Sequence, residues 1–169
     1  MTDFEKISHL IRFGLTAKKM TSKSVIDWAD RKINEQNENS VFFDLSLADS
    51  ANKIIEILSE NIEWNFKDDE IRILILSYYK EYLDSNPTIW DEIERELLVY
   101  FELLEYDYDR DKPFSFIYYL EEDCCLREDG FGGLVNMPNY LIENLDEYKN
   151  NNLLKELLNK EGLEGYEIY

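Results

Sequence analysis

Apolar residues recur along this chain at spacings of three and four, the period of an amphipathic helix. Phe4, Ile7, Leu10 and Ile11 open the pattern behind Thr2-Asp3-Phe4-Glu5. That tetrad is a capping box, in which the Thr2 hydroxyl and the Glu5 carboxylate each take one backbone amide. Gly14 is the expected stop. Thr21 and Ser22 offer the next caps, and Val25, Trp28, Ala29 and Ile33 form one stripe that ends in the Asn-rich stretch 34–39. Residues 41–48 read either as an alternating strand or as a helical turn; with no strand partner in view, the helical reading is preferred. Asp49 or Ser50 opens a helix carrying Ile54, Ile55 and Leu58 to about Glu60. Asp68 or Asp69 caps a longer one to about Asp84, apolar on most sides and so expected to be central and buried.

The second half continues in the same period. Asn86-Pro87-Thr88 marks a boundary with Thr88 as the expected cap. A helix then runs through Trp90, Ile93, Leu97, Leu98, Phe101 and Leu104. A polar loop, Glu105 to Asp111, precedes a short helix or turn over Phe114–Leu120. Gly130-Phe131-Gly132-Gly133 is a glycine-rich connection. Two more helices are expected, from about Pro138 to Tyr148 and from about Asn151 to Lys160, ahead of the tail Glu161–Tyr169. The expected fold is all-α: a single domain over residues 1–169 of seven or eight short helices in antiparallel pairs. Such pairs can stack into a short HEAT-like array, although no fixed-period repeat is visible.

Composition sharpens this picture. The chain has 169 residues, the length of one ordinary domain or two very small ones. Leu and Ile are plentiful, Val is scarce, and Gly and Pro number only 6 and 3, which favours helix over sheet. The apolar content is too high for a disordered chain. The net charge is -19, from 37 acidic and 18 basic residues. Residues 1–40 carry seven basic against six acidic side chains, so the later part carries the whole excess. Nucleic-acid and anionic-membrane partners are disfavoured, because a phosphate-binding surface needs clustered Lys and Arg. No basic n-region precedes an apolar run at Met1–Glu5, and no window is long and apolar enough to span a bilayer. A cytoplasmic protein is expected.

Few motifs survive inspection. Asp107, Asp109 and Asp111 have the opening spacing of a calcium-binding EF loop, but Lys112 stands where glycine is needed and Tyr118 where a bidentate Glu is needed. The glycine-rich connection is followed by no Lys-Ser/Thr and preceded by no strand, so it is a poor phosphate cradle. Cys124 and Cys125 are adjacent, which would strain a disulfide. Their acidic flanks oppose a reactive thiolate. His9, the single histidine, reads as a partly buried or surface helical residue. Carboxylate pairs (Glu94 with Glu96, Glu121 with Glu122) are too abundant for any one to stand out as an acid/base pair. Neither a metal nor a cofactor is expected, and no enzymatic activity; a small carboxylate-dependent enzyme is the weakest of the alternatives.

One pattern remains. Tyr100, Phe101, Tyr106, Tyr108, Phe114, Phe116, Tyr118 and Tyr119 interleave with Glu102, Glu105, Asp107, Asp109, Asp111, Glu121, Glu122 and Asp123. The plain reading is a solvated face above a tyrosine-rich core. The functional reading is a docking surface for a basic protein, with aromatic anchors and carboxylates that steer a cationic partner. The candidate contact residues are Glu102, Glu105, Asp107, Tyr108, Asp109, Asp111, Glu121 and Glu122.

Three segments, Val25 to Ile33 (VIDWADRKI), Phe42 to Ala48 (FFDLSLA) and Ile54 to Leu58 (IIEIL), resemble the opening of a group of small bacterial helical proteins of unassigned function. That group and its relatives resemble immunity proteins of polymorphic toxin and contact-dependent growth inhibition systems. The likeness covers about a third of the chain. It implies an immunity protein that binds and neutralises a cognate toxin domain, a basic nuclease above all, by occluding its active or substrate-binding surface. A helical scaffold or adaptor without catalytic activity is the alternative.

Overall fold

Thr2 and Glu5 close the capping box that starts α1 (Asp3–Thr16): the Thr2 amide donates to the Glu5 carboxylate at 2.6 Å, and the Glu5 amide to the Thr2 hydroxyl at 3.2 Å. The computed structural model describes residues 1–35, 39–64, 68–103, 115–133, 136–148 and 152–163; for 100–103 and 152–155 it describes the backbone alone. Every regular element among them is helical. After α1 come α2 (Ser22–Asn34), α3 (Val41–Ser46), α4 (Ala51–Asn61), α5 (Asp69–Ser85), α6 (Trp90–Leu103), α7 (Phe116–Glu128), α8 (Met137–Leu145) and α9 (Asn152–Glu161). The two stretches of ambiguous pattern, 41–48 and 114–120, both contribute helix, which brings the count to nine among the described residues.

Three boundaries differ from expectation. Gly14 does not stop α1. It is buried between Phe13 and Leu15, and the turn falls at Lys18, which takes the left-handed φ of 57° itself. Packing on both sides outweighs the roughly 1 kcal/mol that a glycine costs inside a helix. Thr88 is not a cap: Pro87–Ile89 forms a 3-10 turn that leads directly into α6, because the preset φ of Pro87 suits the first helical position. The helix expected to be short after Phe114 runs on to Glu128. Beyond Leu120 its sequence loses apolar periodicity, and the inward positions there carry the charged contacts described below.

The chain forms two compact units, Met1–Ile75 with Asn151–Tyr169, and Leu76–Asn150. In the first, α2 packs on α3, α3 on α4, and α1 on both α4 and α9. Trp28 is fully buried, with the Phe42 ring edge-on at 5.2 Å, and Phe4 meets Phe42 in turn at 5.8 Å. Trp28 Nε1 donates to the Glu161 carbonyl at 2.9 Å, and Arg31 donates to the carbonyl of Gly162. Gly162, at φ 71°, closes α9, with the Leu163 amide bonded to the Leu158 carbonyl at 2.9 Å. This reversal needs glycine and turns Leu163 into the core. His9 is buried, stacked on Trp64 at 4.9 Å, and the Arg12 guanidinium lies 4.7 Å from the same ring.

In the second unit α6 packs on both α7 and α8. Leu76, Tyr79, Leu83, Ile93, Leu97, Ile117, Leu120, Leu141 and Leu145 are buried there. Lys80, 1% exposed, is held by Asp84 and by Asp146 at 3.6 Å, which fastens the end of α5 to the 3-10 turn Asp146–Tyr148. As its pattern predicts, α5 is buried almost all round: from Ile71 to Lys80 only Ile73 keeps partial exposure.

Candidate protein-binding face

Three buried side chains, Phe116, Ile117 and Leu120, set which way α7 faces. The next inward position is Asp123, which is fully buried. Arg127, one turn on, donates Nε to Asp123 Oδ2 at 2.8 Å and Nη2 to Glu94 Oε1 of α6. Glu94 is itself 1% exposed, so one guanidinium serves two buried carboxylates. The Trp90 ring lies 5.5 Å from that guanidinium. Burial pushes the Glu94 carboxyl above its ordinary range, against the lowering effect of Arg127. A buried ionic cluster of this kind adds little net stability over an apolar replacement, but removing one partner from it is costly.

The same carboxylate shapes the glycine-rich connection. A Cβ at Gly133 would lie 2.7 Å from Asp123 Oδ1 and 2.9 Å from Oδ2, and Gly130 and Gly132 have φ of 81° and 74°. Gly133 lets the backbone pass a buried anion, a setting that repels a phosphate, while Gly130 and Gly132 supply the left-handed turns. The Cys124 thiol, close to the cluster, is pushed up by burial and then by Glu94 and Glu128. Both cysteines are free thiols.

With the inner face so fixed, α7 turns Tyr118, Tyr119, Glu121, Glu122, Cys125 and Glu128 to solvent. Tyr118 and Tyr119 are 47% and 49% exposed, an unusual degree for adjacent large aromatics. Their rings meet edge-on at 5.6 Å, and Tyr119 meets Tyr140 of α8 at 6.2 Å. The Tyr140 hydroxyl donates to the Phe116 carbonyl at 3.2 Å, and burial pushes its pKa up to about 12. A row of three tyrosines thus runs from α8 to the outside of α7, anchored at its half-buried end by the Tyr140 hydrogen bond. Glu121 and Glu122 flank the exposed end one turn away, and Glu128 and Asp129 follow. Arg127, the one basic residue of this helix, is turned inward to its two carboxylates.

Of the candidate contact residues, Glu121 and Glu122 are exposed and adjoin the tyrosines. Glu102 lies on α6, with its backbone alone described, and Glu105, Asp107, Tyr108, Asp109 and Asp111 lie outside the described residues. Phe116 belongs to the core and Asp123 to the buried cluster, so neither is part of the surface. The pattern did not point to Tyr140, Glu94, Trp90 or Arg127. The i, i+4 spacing of Asp123 and Arg127 within an apolar-poor helix was the one available signal.

Among the described residues no group of three or more His, Cys, Asp or Glu is placed to hold a metal ion, and no helix is long and apolar enough to cross a membrane. No protein-family model, curated protein or solved structure matches the chain.

Proposed function

We propose that this chain is a stoichiometric inhibitor of the immunity type, which binds a basic toxin domain, a nuclease above all, and covers its active or substrate-binding surface without chemistry of its own. The observation that carries this reading is the exposed Tyr118–Tyr119 pair beside Glu121 and Glu122 on α7. Tyrosines give a large contact area at low entropic cost and concentrate at interface hot spots. Carboxylates around them attract a cationic surface and speed its approach. The net charge of -19 adds a long-range field of the same sign. An acidic, ring-bearing face also offers a nuclease some of the charge and stacking character of its own substrate.

The test is a growth-protection assay. The chain is co-expressed with the C-terminal domain of the toxin encoded next to it, and rescue is scored. Tyr118→Ala/Tyr119→Ala and Glu121→Lys/Glu122→Lys should each abolish or weaken rescue while the protein stays folded. Full rescue by both variants would remove α7 as the contact surface, and no rescue by the wild type would remove the inhibitor reading.

A further inference from the structure

We infer that the outer face of α3 is a docking surface for a cationic amphipathic segment of another protein. The inference uses no residue of α7 and stands apart from the reading above. Leu47 is 84% exposed and Phe43 53% exposed. They lie four residues apart, with the Leu47 amide bonded to the Phe43 carbonyl at 3.3 Å, so their side chains stand on the same side of one helical turn. Single exposed apolar residues are ordinary, but two such large ones on one turn form a contiguous patch. The inner residues of the same short helix, Val41, Phe42 and Leu45, are buried, so the turn is held rigidly with Phe43 and Leu47 outside.

Charge decides the occupant. Asp44 is exposed one turn from Leu47, and Asp49 is exposed just beyond it. Asp30 of α2 is tied to this turn by the Ser46 hydroxyl, which donates to its carboxylate. No Lys or Arg occurs between Glu35 and Asn52. The nearest cations in sequence are committed elsewhere: Arg31 to the Gly162 carbonyl, Lys32 to Glu161 at 3.0 Å and Glu35 at 3.6 Å, and Lys53 to Glu56 at 3.1 Å. Around the apolar centre, the charges of its own segment, Asp44 and Asp49, and that of Asp30, bonded to Ser46, are all negative. A second copy would bring the same rim against itself, and an anionic lipid surface would be repelled. A segment with two apolar side chains about one helical turn apart and flanking Lys or Arg meets both features, in the helix-on-surface manner of peptide recognition.

The test uses synthetic 16-residue probes at physiological salt: a Lys/Leu amphipathic helix, the same composition in scrambled order, and a Glu/Leu counterpart. Isothermal titration should show binding of the first and at least tenfold weaker binding of the other two. Phe43→Ala/Leu47→Ala should weaken the first probe at least tenfold, and Asp30→Asn/Asp44→Asn should flatten its salt dependence. Tyr118→Ala/Tyr119→Ala should leave it unchanged. In the wild type, amide shifts on titration should concentrate in residues 39–50, which tests the site without any variant. Equal binding of the scrambled probe, shifts centred elsewhere, unchanged affinity in Phe43→Ala/Leu47→Ala, or a dimer in sedimentation that this double variant dissolves would each overturn the inference.

Discussion

Trp28 Nε1 donates to the backbone carbonyl of Glu161 across 133 residues of chain, at 2.9 Å. One buried indole thereby fixes the C-terminal end of α9 against α2, and the salt bridge of Lys32 to Glu161 at 3.0 Å reinforces it. Trp28→Phe keeps most of the apolar contact but removes the donor, and should cost about 1–2 kcal/mol, the price of a lost buried hydrogen bond. Trp28→Ala adds a cavity and should cost about 3–5 kcal/mol. Urea unfolding followed by circular dichroism checks both. Equal losses for the two variants would mean that the hydrogen bond contributes most of the effect.

Gly162 offers a sharper test of the same clamp. Its φ of 71° belongs to the left-handed region, and no atom crowds a Cβ there more closely than Arg31 Nε at 3.9 Å. Gly162→Ala should therefore cost about 1–2 kcal/mol through backbone strain alone, and Gly162→Asn less, since asparagine tolerates that region. Unfolding midpoints ordered glycine, asparagine, alanine would support this, and a more stable alanine variant would refute it.

The cluster on α6 and α7 predicts opposite effects at its two ends. Arg127→Met leaves Glu94 and Asp123 buried without their cation and should cost about 3–5 kcal/mol. Glu94→Gln retains an oxygen acceptor for Arg127 and removes one buried charge, so at neutral pH it should be as stable as the wild type or more so. The sign with pH follows from the raised Glu94 pKa. Above its ordinary 4.5 the folded state binds this proton more tightly than the unfolded state, so the contribution of Glu94 to stability falls as pH rises through the raised value. The advantage of Glu94→Gln should accordingly grow from pH 4.5 toward neutrality, and stability curves of the two proteins across that range measure it.

His9 behaves in the opposite sense. Burial, with the nearby Arg12 charge, lowers its pKa from 6.5 to about 4, against the weaker pull of Asp68 and Glu5. Below pH 6.5 the unfolded chain takes up this proton and the folded one does not. Stability is therefore undiminished above 6.5 and lost as pH falls toward 4, by up to about 3 kcal/mol in all. The single histidine gives one Hε1 resonance, whose midpoint should fall near 4; a midpoint near 6.5 would place His9 in water.

For the proposed binding, Glu121→Lys/Glu122→Lys should slow association with the proposed toxin domain on the order of tenfold at low salt, with a smaller difference as ionic strength rises. Tyr118→Ala/Tyr119→Ala should act on dissociation, at about 2 kcal/mol or more if these rings are the anchors. Stopped-flow and surface-plasmon traces separate the two effects.

Most helices were legible in sequence because an amphipathic helix writes its own period. Thr2, Asp49 or Ser50, and Asp68 or Asp69 announce three starts, and the caps fall at Thr2, Ser50 and Asp68. Legibility failed where a rule about one residue competed with packing. Gly14 is a sound stop by propensity and a sound core residue by size, and the core prevailed. In α7 it failed because the inward position after Leu120 is an aspartate, which no apolar pattern registers.

The chain's order of residues alone determined the helical class, the burial of α5 and the excess of negative charge, since each depends on local period or composition. Only the tertiary structure decided which of the many carboxylates and rings face solvent. Tyr118 and Tyr119 lie outside because Phe116, Ile117 and Leu120 lie inside; Arg127 is turned toward two carboxylates because Glu94, distant in sequence, is buried beside it. Such choices rest on contacts between helices, and a one-dimensional pattern carries no record of which partner each face will meet.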